Sequence, residues 1–131
     1  MAVDLIPERV REFIATNIES IAELEALLLL RSDPACDWTV DALTRRLYTN
    51  HEQTVEVMEK LTTNGLSAVK HGEPVTFHYQ PSPKELEATV AAVAETYSKY
   101  LVPVTNMIHS KPRSKVQQFA DAFKIRKRRD D

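Results

Sequence analysis

Four histidines, one cysteine and scattered carboxylates are the side chains of this 131-residue chain that could bind a metal, move a proton or attack a bond. His51, His71, His78 and His109 stand at no metal-ligand spacing, and each reads as a surface residue. Cys36, with Asp33 and Asp37 nearby, could make a redox or metal contact, but one thiol closes no disulfide and completes no zinc knuckle. No Ser/His/Asp set and no paired carboxylates in a helix-defined cleft can be picked out. The backbone is equally unsuited to cradling a nucleotide. Gly65 and Gly72 are the only glycines, against about nine in an average chain of this length. A G-x-G-x-x-G turn or a Gly-rich phosphate loop is therefore excluded. The expectation is a protein that is not an enzyme and needs no cofactor or metal.

Charge offers more. The net charge is −2, but residues 18–65 carry nine carboxylates against Arg31, Arg45, Arg46 and Lys60, whereas residues 111–131 carry eight bases against three acids. An acidic body with a basic tail hints at an interaction, and a solvated C-terminus explains the tail about as well. A charged fraction of 27% and a hydrophobic fraction of 43% suit a soluble globule. The length suits a single domain over residues 1–131. The first residues lack a basic start followed by an apolar core, and the uncharged runs are too short and polar to span a bilayer. A cytoplasmic protein with no membrane partner is expected.

The elements that would position these side chains are mostly capped helices. Residues 7–15 read as a short helix showing Val10, Phe13 and Ile14. Thr16 and Glu19 have capping-box spacing, in which hydroxyl and carboxylate each satisfy a free backbone N–H. Behind them run Ile18, Ile21, Leu24, Leu27 and Leu28. A loop over residues 32–38 contains Pro34. Thr39 then caps a helix with Val40, Leu43 and Leu47 inward, and Asn50 caps the next, with Gln53 completing the box and Val55, Met58 and Leu61 inward. Gly65 suits a left-handed helix end. Residues 66–69 read as a strand, His71-Gly72-Glu73 as a turn with Gly72 at its tip, and the alternation of Val75, Phe77 and Tyr79 with Thr76, His78 and Gln80 as a half-buried strand. Ser82-Pro83-Lys84-Glu85 combines a cap, a proline at the first helical position and a following glutamate. The seam Leu86, Val90, Val93, Tyr97, Tyr100, Val104 and Met107 follows, with Pro103 inside it as an expected kink or break. Ser114 opens a last helix with Val116, Phe119, Ala120 and Phe123 on one face.

Three helices with a tight turn between the second and third, followed by a β-hairpin, resemble the winged helix-turn-helix superfamily. The resemblance rests on Leu43-Thr44-Arg45-Arg46-Leu47-Tyr48, the turn, Val55, Met58, Leu61, Gly65-Leu66 and the hairpin to Tyr79. It covers residues 18–80 as a winged-helix core. Residues 82–126 are expected to form a helical extension, and residues 127–131 read as a short charged tail. The chain also resembles a group of small bacterial winged-helix proteins through Ser110-Lys111-Pro112 and Phe119-Ala120-Asp121-Ala122-Phe123, a likeness that carries no activity with it. The expected class is mainly α with one β-hairpin.

The resemblance implies a DNA-binding transcriptional regulator whose third core helix enters the major groove of double-stranded DNA. Asn50, His51, Gln53 and Thr54 would then read base edges, while Arg45, Arg46, Lys70 and His71 touch phosphates. Glu52, Glu56 and Glu59 on the same helix, against Lys60 alone, oppose this by repelling phosphate. The alternative is a winged-helix adaptor that binds another protein and not DNA. A homodimer is expected, joined through the seam from Leu86 to Met107, because paired reading helices match two-fold half-sites. The same seam could instead pack on the chain's own helices.

Overall fold

Val10, Phe13 and Ile14, spaced as a helix requires, are the buried face of α1 (Glu8–Asn17) in the computed structural model, which describes residues 5–110. The helix runs further than its sequence suggests. Ile18 is fully buried and its N–H still donates to Ile14 O at 3.0 Å. Thr16 therefore lies inside α1 and caps nothing. The same Ser/Thr-x-x-Glu spacing recurs four residues on, and that copy is the one used. Ser20 caps α2 (Ile21–Ser32), accepting the Glu23 N–H at 3.2 Å, while Glu23 Oε1 accepts the Glu19 N–H at 3.1 Å. Leu24, Leu27 and Leu30 become the centre of the core, each with no exposed surface. Full burial of one such side chain stabilises the fold by about 2 kcal/mol.

The stretch expected to be only a loop before Thr39 contains a strand, β1 (Trp38–Thr39). Two residues show no measurable alternation, so the sequence hides it. Thr39 then caps α3 (Val40–Arg46) by accepting the Ala42 N–H at 3.1 Å, and Asn50 caps α4 (His51–Thr63) by accepting the Gln53 N–H at 2.8 Å. Val57, Met58 and Leu61 carry the buried face of α4, with Val55, expected inward, only half-buried. Gly65 ends α4 at φ +76°. Its N–H bonds Thr62 O at 3.1 Å and the Leu66 N–H reaches back to Leu61 O at 2.9 Å, the paired bonds of a left-handed helix stop.

β2 (Ser67–Lys70) and β3 (Thr76–Tyr79) form the hairpin, with Lys70 opposite Thr76 and Ser67 opposite Tyr79. β1 adds to the other edge of β3, so the sheet is three-stranded and antiparallel in the order β1-β3-β2, beyond the single hairpin expected. Phe77 and Tyr79 point inward as their alternation requires. Val75 lies outside the strand and is exposed.

Residues 82–85 do not begin the next helix. The Ser82 N–H is held by Gly65 O at 2.8 Å, and the chain makes one turn before α5 (Leu86–Lys99) starts without a side-chain cap. α6 (Leu101–Ser110) follows after Tyr100 leaves helical geometry. The break has a physical cause. In a continuous helix Pro103 would have no N–H for Lys99 O and its ring would collide with that carbonyl, whereas in the first turn of a new helix no such bond is needed. α5 packs against α1 and α6, which joins the extension to the front of the chain. The last helix read from Ser114 and the charged tail lie outside the described residues.

Candidate nucleic-acid interface

α3 and α4 are joined by residues 47–50, and three backbone bonds fix that turn. Leu47 N–H donates to Leu43 O at 2.9 Å, Tyr48 N–H to Arg45 O at 3.4 Å and Thr49 N–H to Thr44 O at 3.2 Å. The end of α3 is thereby set beside the start of α4. Arg45, Arg46, Asn50 and His51 are all exposed there, and Gln53 is half-buried one turn in.

Asn50 is committed in part. Its Oδ1 holds the Gln53 N–H, so only its amide nitrogen is free to donate outward. Thr54, expected to read a base, cannot do so: it has no exposed surface, and its hydroxyl lies 2.7 Å from that of Thr44 and 2.9 Å from Asn50 O. Thr44 also reaches Val40 O at 2.7 Å. Of these three contacts, the one between the two hydroxyls ties α3 to α4, while the other two bond each hydroxyl back to its own helix. Burial and hydrogen bonding make Thr54 a fixture of the turn.

Across the sheet, Lys70 and His71 are exposed where β2 enters the wing loop. Lys70 Nζ lies 3.2 Å from Asp37 Oδ2, so part of its charge is answered within the chain. Asp37 directly precedes Trp38, and the Arg46 guanidinium sits 5.5 Å above the Trp38 ring. This cation–π contact joins α3 to β1 and holds Arg46 over the sheet. Arg46, Trp38, Asp37 and Lys70 thus connect the turn to the wing through packed groups. His78 Nε2 pairs with Gln80 Oε1 at 2.8 Å and belongs to no ligand set. Among the described residues, no group of three or more His, Cys, Asp or Glu could hold a metal ion, and no helix is long and apolar enough to cross a membrane.

The outward face of α4 is acidic. Glu52, Glu56 and Glu59 are exposed on it. Lys60 is held by Glu19 at 3.3 Å and by Glu23 at 3.4 Å. Those carboxylates raise the Lys60 pKa against the opposing effect of its partial burial. Its charge is therefore engaged by Glu23 of α2 and by Glu19, which precedes the Ser20 cap, and the cations next to the α4 N-terminus come from α3.

The seam expected to join two chains is largely internal. Val90, Val93 and Val104 have no exposed surface within one chain, and burial against that chain's own core leaves them nothing to offer a partner. The Tyr97 hydroxyl donates to Glu25 Oε2 on α2 at 2.7 Å, and burial followed by this bond pushes its pKa up to about 12. Leu86, Tyr100 and Met107 are half-buried. Leu101 and Val102, which the seam omitted, are more than half exposed at the start of α6. Tyr48, at the end of the Leu43–Tyr48 stretch and two residues before the Asn50 cap, belongs to no apolar stripe and is almost wholly exposed.

No family model and no curated protein matches this chain. Solved structures do. A MarR-family transcriptional regulator from Silicibacter pomeroyi superposes with a TM-score of 0.51 at 14% identity, covering 88% of this chain and 75% of that one. A MarR-family protein from Bacillus stearothermophilus gives a TM-score of 0.48 at 21% identity, covering 98% of this chain and 86% of that one. At such identities the likeness is one of fold. Together with the order α2, β1, α3, α4, β2, β3, it gives the chain a winged-helix fold.

Proposed function

We propose that this chain is a cytoplasmic DNA-binding transcriptional regulator that acts as a homodimer. The observation that carries the reading is the exposure of Arg45 and Arg46 at the end of α3, directly beside the capped start of α4. In a helix-turn-helix the first turn of the second helix meets base edges while the preceding helix lies over the backbone. His51, Gln53 and the Asn50 amide nitrogen would supply the base contacts. Arg45, Arg46, Lys70 and His71 would supply the phosphate contacts. The shared fold of the Silicibacter pomeroyi protein, itself a transcriptional regulator by name, supports the same reading.

The second reading is an adaptor, and the acidic outward face of α4 favours it. One experiment separates the two. Anisotropy of labelled duplexes, including the sequence upstream of the chain's own coding region, is followed against salt. A regulator binds at low salt, with affinity falling steeply as salt rises at a slope of about −0.9 per phosphate neutralised. Replacing Arg45 and Arg46 by alanine flattens that slope by about two. Absence of binding to every duplex at low salt leaves the adaptor.

A further inference from the structure

Tyr48 is the outlier of the molecule. It is 95% exposed, well beyond any other large hydrophobic residue among those described, and it sits at φ 55°, the only non-glycine residue there with positive φ. Left-handed backbone is costly for a bulky side chain, and glycine or asparagine normally fills such a position. At that exposure the aromatic ring buries almost no apolar surface to offset the strained backbone. The turn nevertheless holds it firmly, because the residues on either side of it and its own N–H are bonded back to Leu43, Thr44 and Arg45. The ring therefore projects from a fixed point between the arginines of α3 and the Asn50 cap of α4.

We propose that Tyr48 is a contact to the nucleic-acid backbone, its hydroxyl donating to a phosphate oxygen beside the groove that α4 enters. The proposal rests on the DNA-binding reading above and names a contact which that reading does not require. A tyrosine hydroxyl is among the groups that bind phosphate in protein–DNA interfaces. It suits this place because the position precedes the cap and so lies off the base-reading turn, next to Arg45 and Arg46. A neutral donor also adds affinity without releasing a counterion. Its loss must weaken binding without altering the dependence on salt.

The test measures the full chain and its Y48F, Y48A and Y48G variants by anisotropy on a short random-sequence duplex across a salt series, alongside thermal unfolding. Y48F removes only the hydroxyl and is expected to weaken binding about tenfold, the worth of one hydrogen bond to a charged acceptor, at unchanged salt slope. Y48A is expected to lose at least as much. Y48G relieves the backbone and is expected to unfold no lower than the parent while binding as poorly as Y48A. Parental affinity in Y48F overturns the proposal, as does a salt slope that falls with the hydroxyl. A Y48G chain that unfolds well below the parent assigns Tyr48 to the fold and overturns it too. If the parent chain itself binds no duplex at low salt, the DNA-binding reading fails, a result distinct from a parent that binds and a Y48F that binds as well.

Discussion

The Tyr79 hydroxyl donates a 2.6 Å hydrogen bond to Glu87 Oε1, tying the last residue of β3 to the first turn of α5. Arg31, in the last turn of α2, closes on the same carboxylate, Nε to Oε1 at 3.2 Å and Nη2 to Oε2 at 3.3 Å. Sheet, core helix and extension therefore meet on one carboxylate, at the edge of a cleft of about 800 Å³ lined also by Pro34, Pro81 and Lys84. The Tyr79 bond, then Arg31, hold the Glu87 pKa below its ordinary 4.5 despite some desolvation. Burial and then Glu87 push the Tyr79 phenol well above its ordinary value. Tyr79→Phe is expected to lower stability by about 2 kcal/mol, read by urea unfolding at neutral pH.

The same site fixes a pH dependence. A carboxylate whose pKa falls on folding contributes stability that is complete above its unfolded value of 4.5 and is lost as the pH drops through the lower folded value. The stability gap between the parent and Glu87→Gln should therefore be constant at neutral pH and shrink only below about 4.5. A gap that closes near neutrality instead would place the titrating group elsewhere.

Gly65 carries a second commitment. At φ +76° any other residue is strained, and a Cβ there would lie 2.9 Å from Ser82 O, the backbone of the segment leading to α5. Gly65→Ala is expected to cost about 2 kcal/mol from the left-handed backbone, and more if the Ser82 segment cannot move. The loss should appear as a lower unfolding midpoint with an unchanged denaturant slope.

These cases show where sequence carried the fold and where it did not. Thr39, Asn50 and Gly65 were legible because each acts on its own neighbours: a cap needs an amide three residues on, and a left-handed stop needs only its own φ. The failures needed knowledge of distant partners. Thr16 and Ser20 have the same capping spacing, and burial of Ile18 decides between them. β1 exists because β3 offers a free edge to two residues. Ser82-Pro83 has the chemistry of a helix start, but Gly65 O claims the Ser82 N–H first. At the site, Arg45, Arg46, His51 and Gln53 lie where a local reading puts them. Thr54 is withheld from any ligand by burial and by the Thr44 hydroxyl 2.7 Å away, a contact that exists only through the turn.

Asn50 should separate capping from recognition. Asn50→Asp keeps an oxygen for the Gln53 N–H and places a carboxylate at a helix N-terminus, so stability should hold within about 0.5 kcal/mol. It removes the outward amide donor and adds a negative charge, so DNA affinity should fall more than about tenfold at low salt. Asn50→Ala should lower stability by about 1 kcal/mol through the lost cap. Thermal unfolding and anisotropy on the same samples check both halves.

The face around Leu101 and Val102 bears on assembly. Val90, Val93 and Val104 are buried in the chain's own core, so a dimer must use what remains outside it. Leu101 and Val102 are 54% and 62% exposed at the break between α5 and α6, next to half-buried Tyr100. Placing charge in an apolar interface costs enough to dissociate a dimer of ordinary affinity without disturbing a surface already in water. The parent chain is expected to sediment at twice 14.9 kDa at micromolar concentration, and the double variant Leu101→Glu, Val102→Glu at 14.9 kDa with its unfolding temperature retained. Duplexes carrying two half-sites should then bind the variant no better than duplexes carrying one, because the gain from tethering the second reading helix is lost. A parent chain that sediments only as the 14.9 kDa species would sink the dimer, and a double variant that remains dimeric would place the interface on another face.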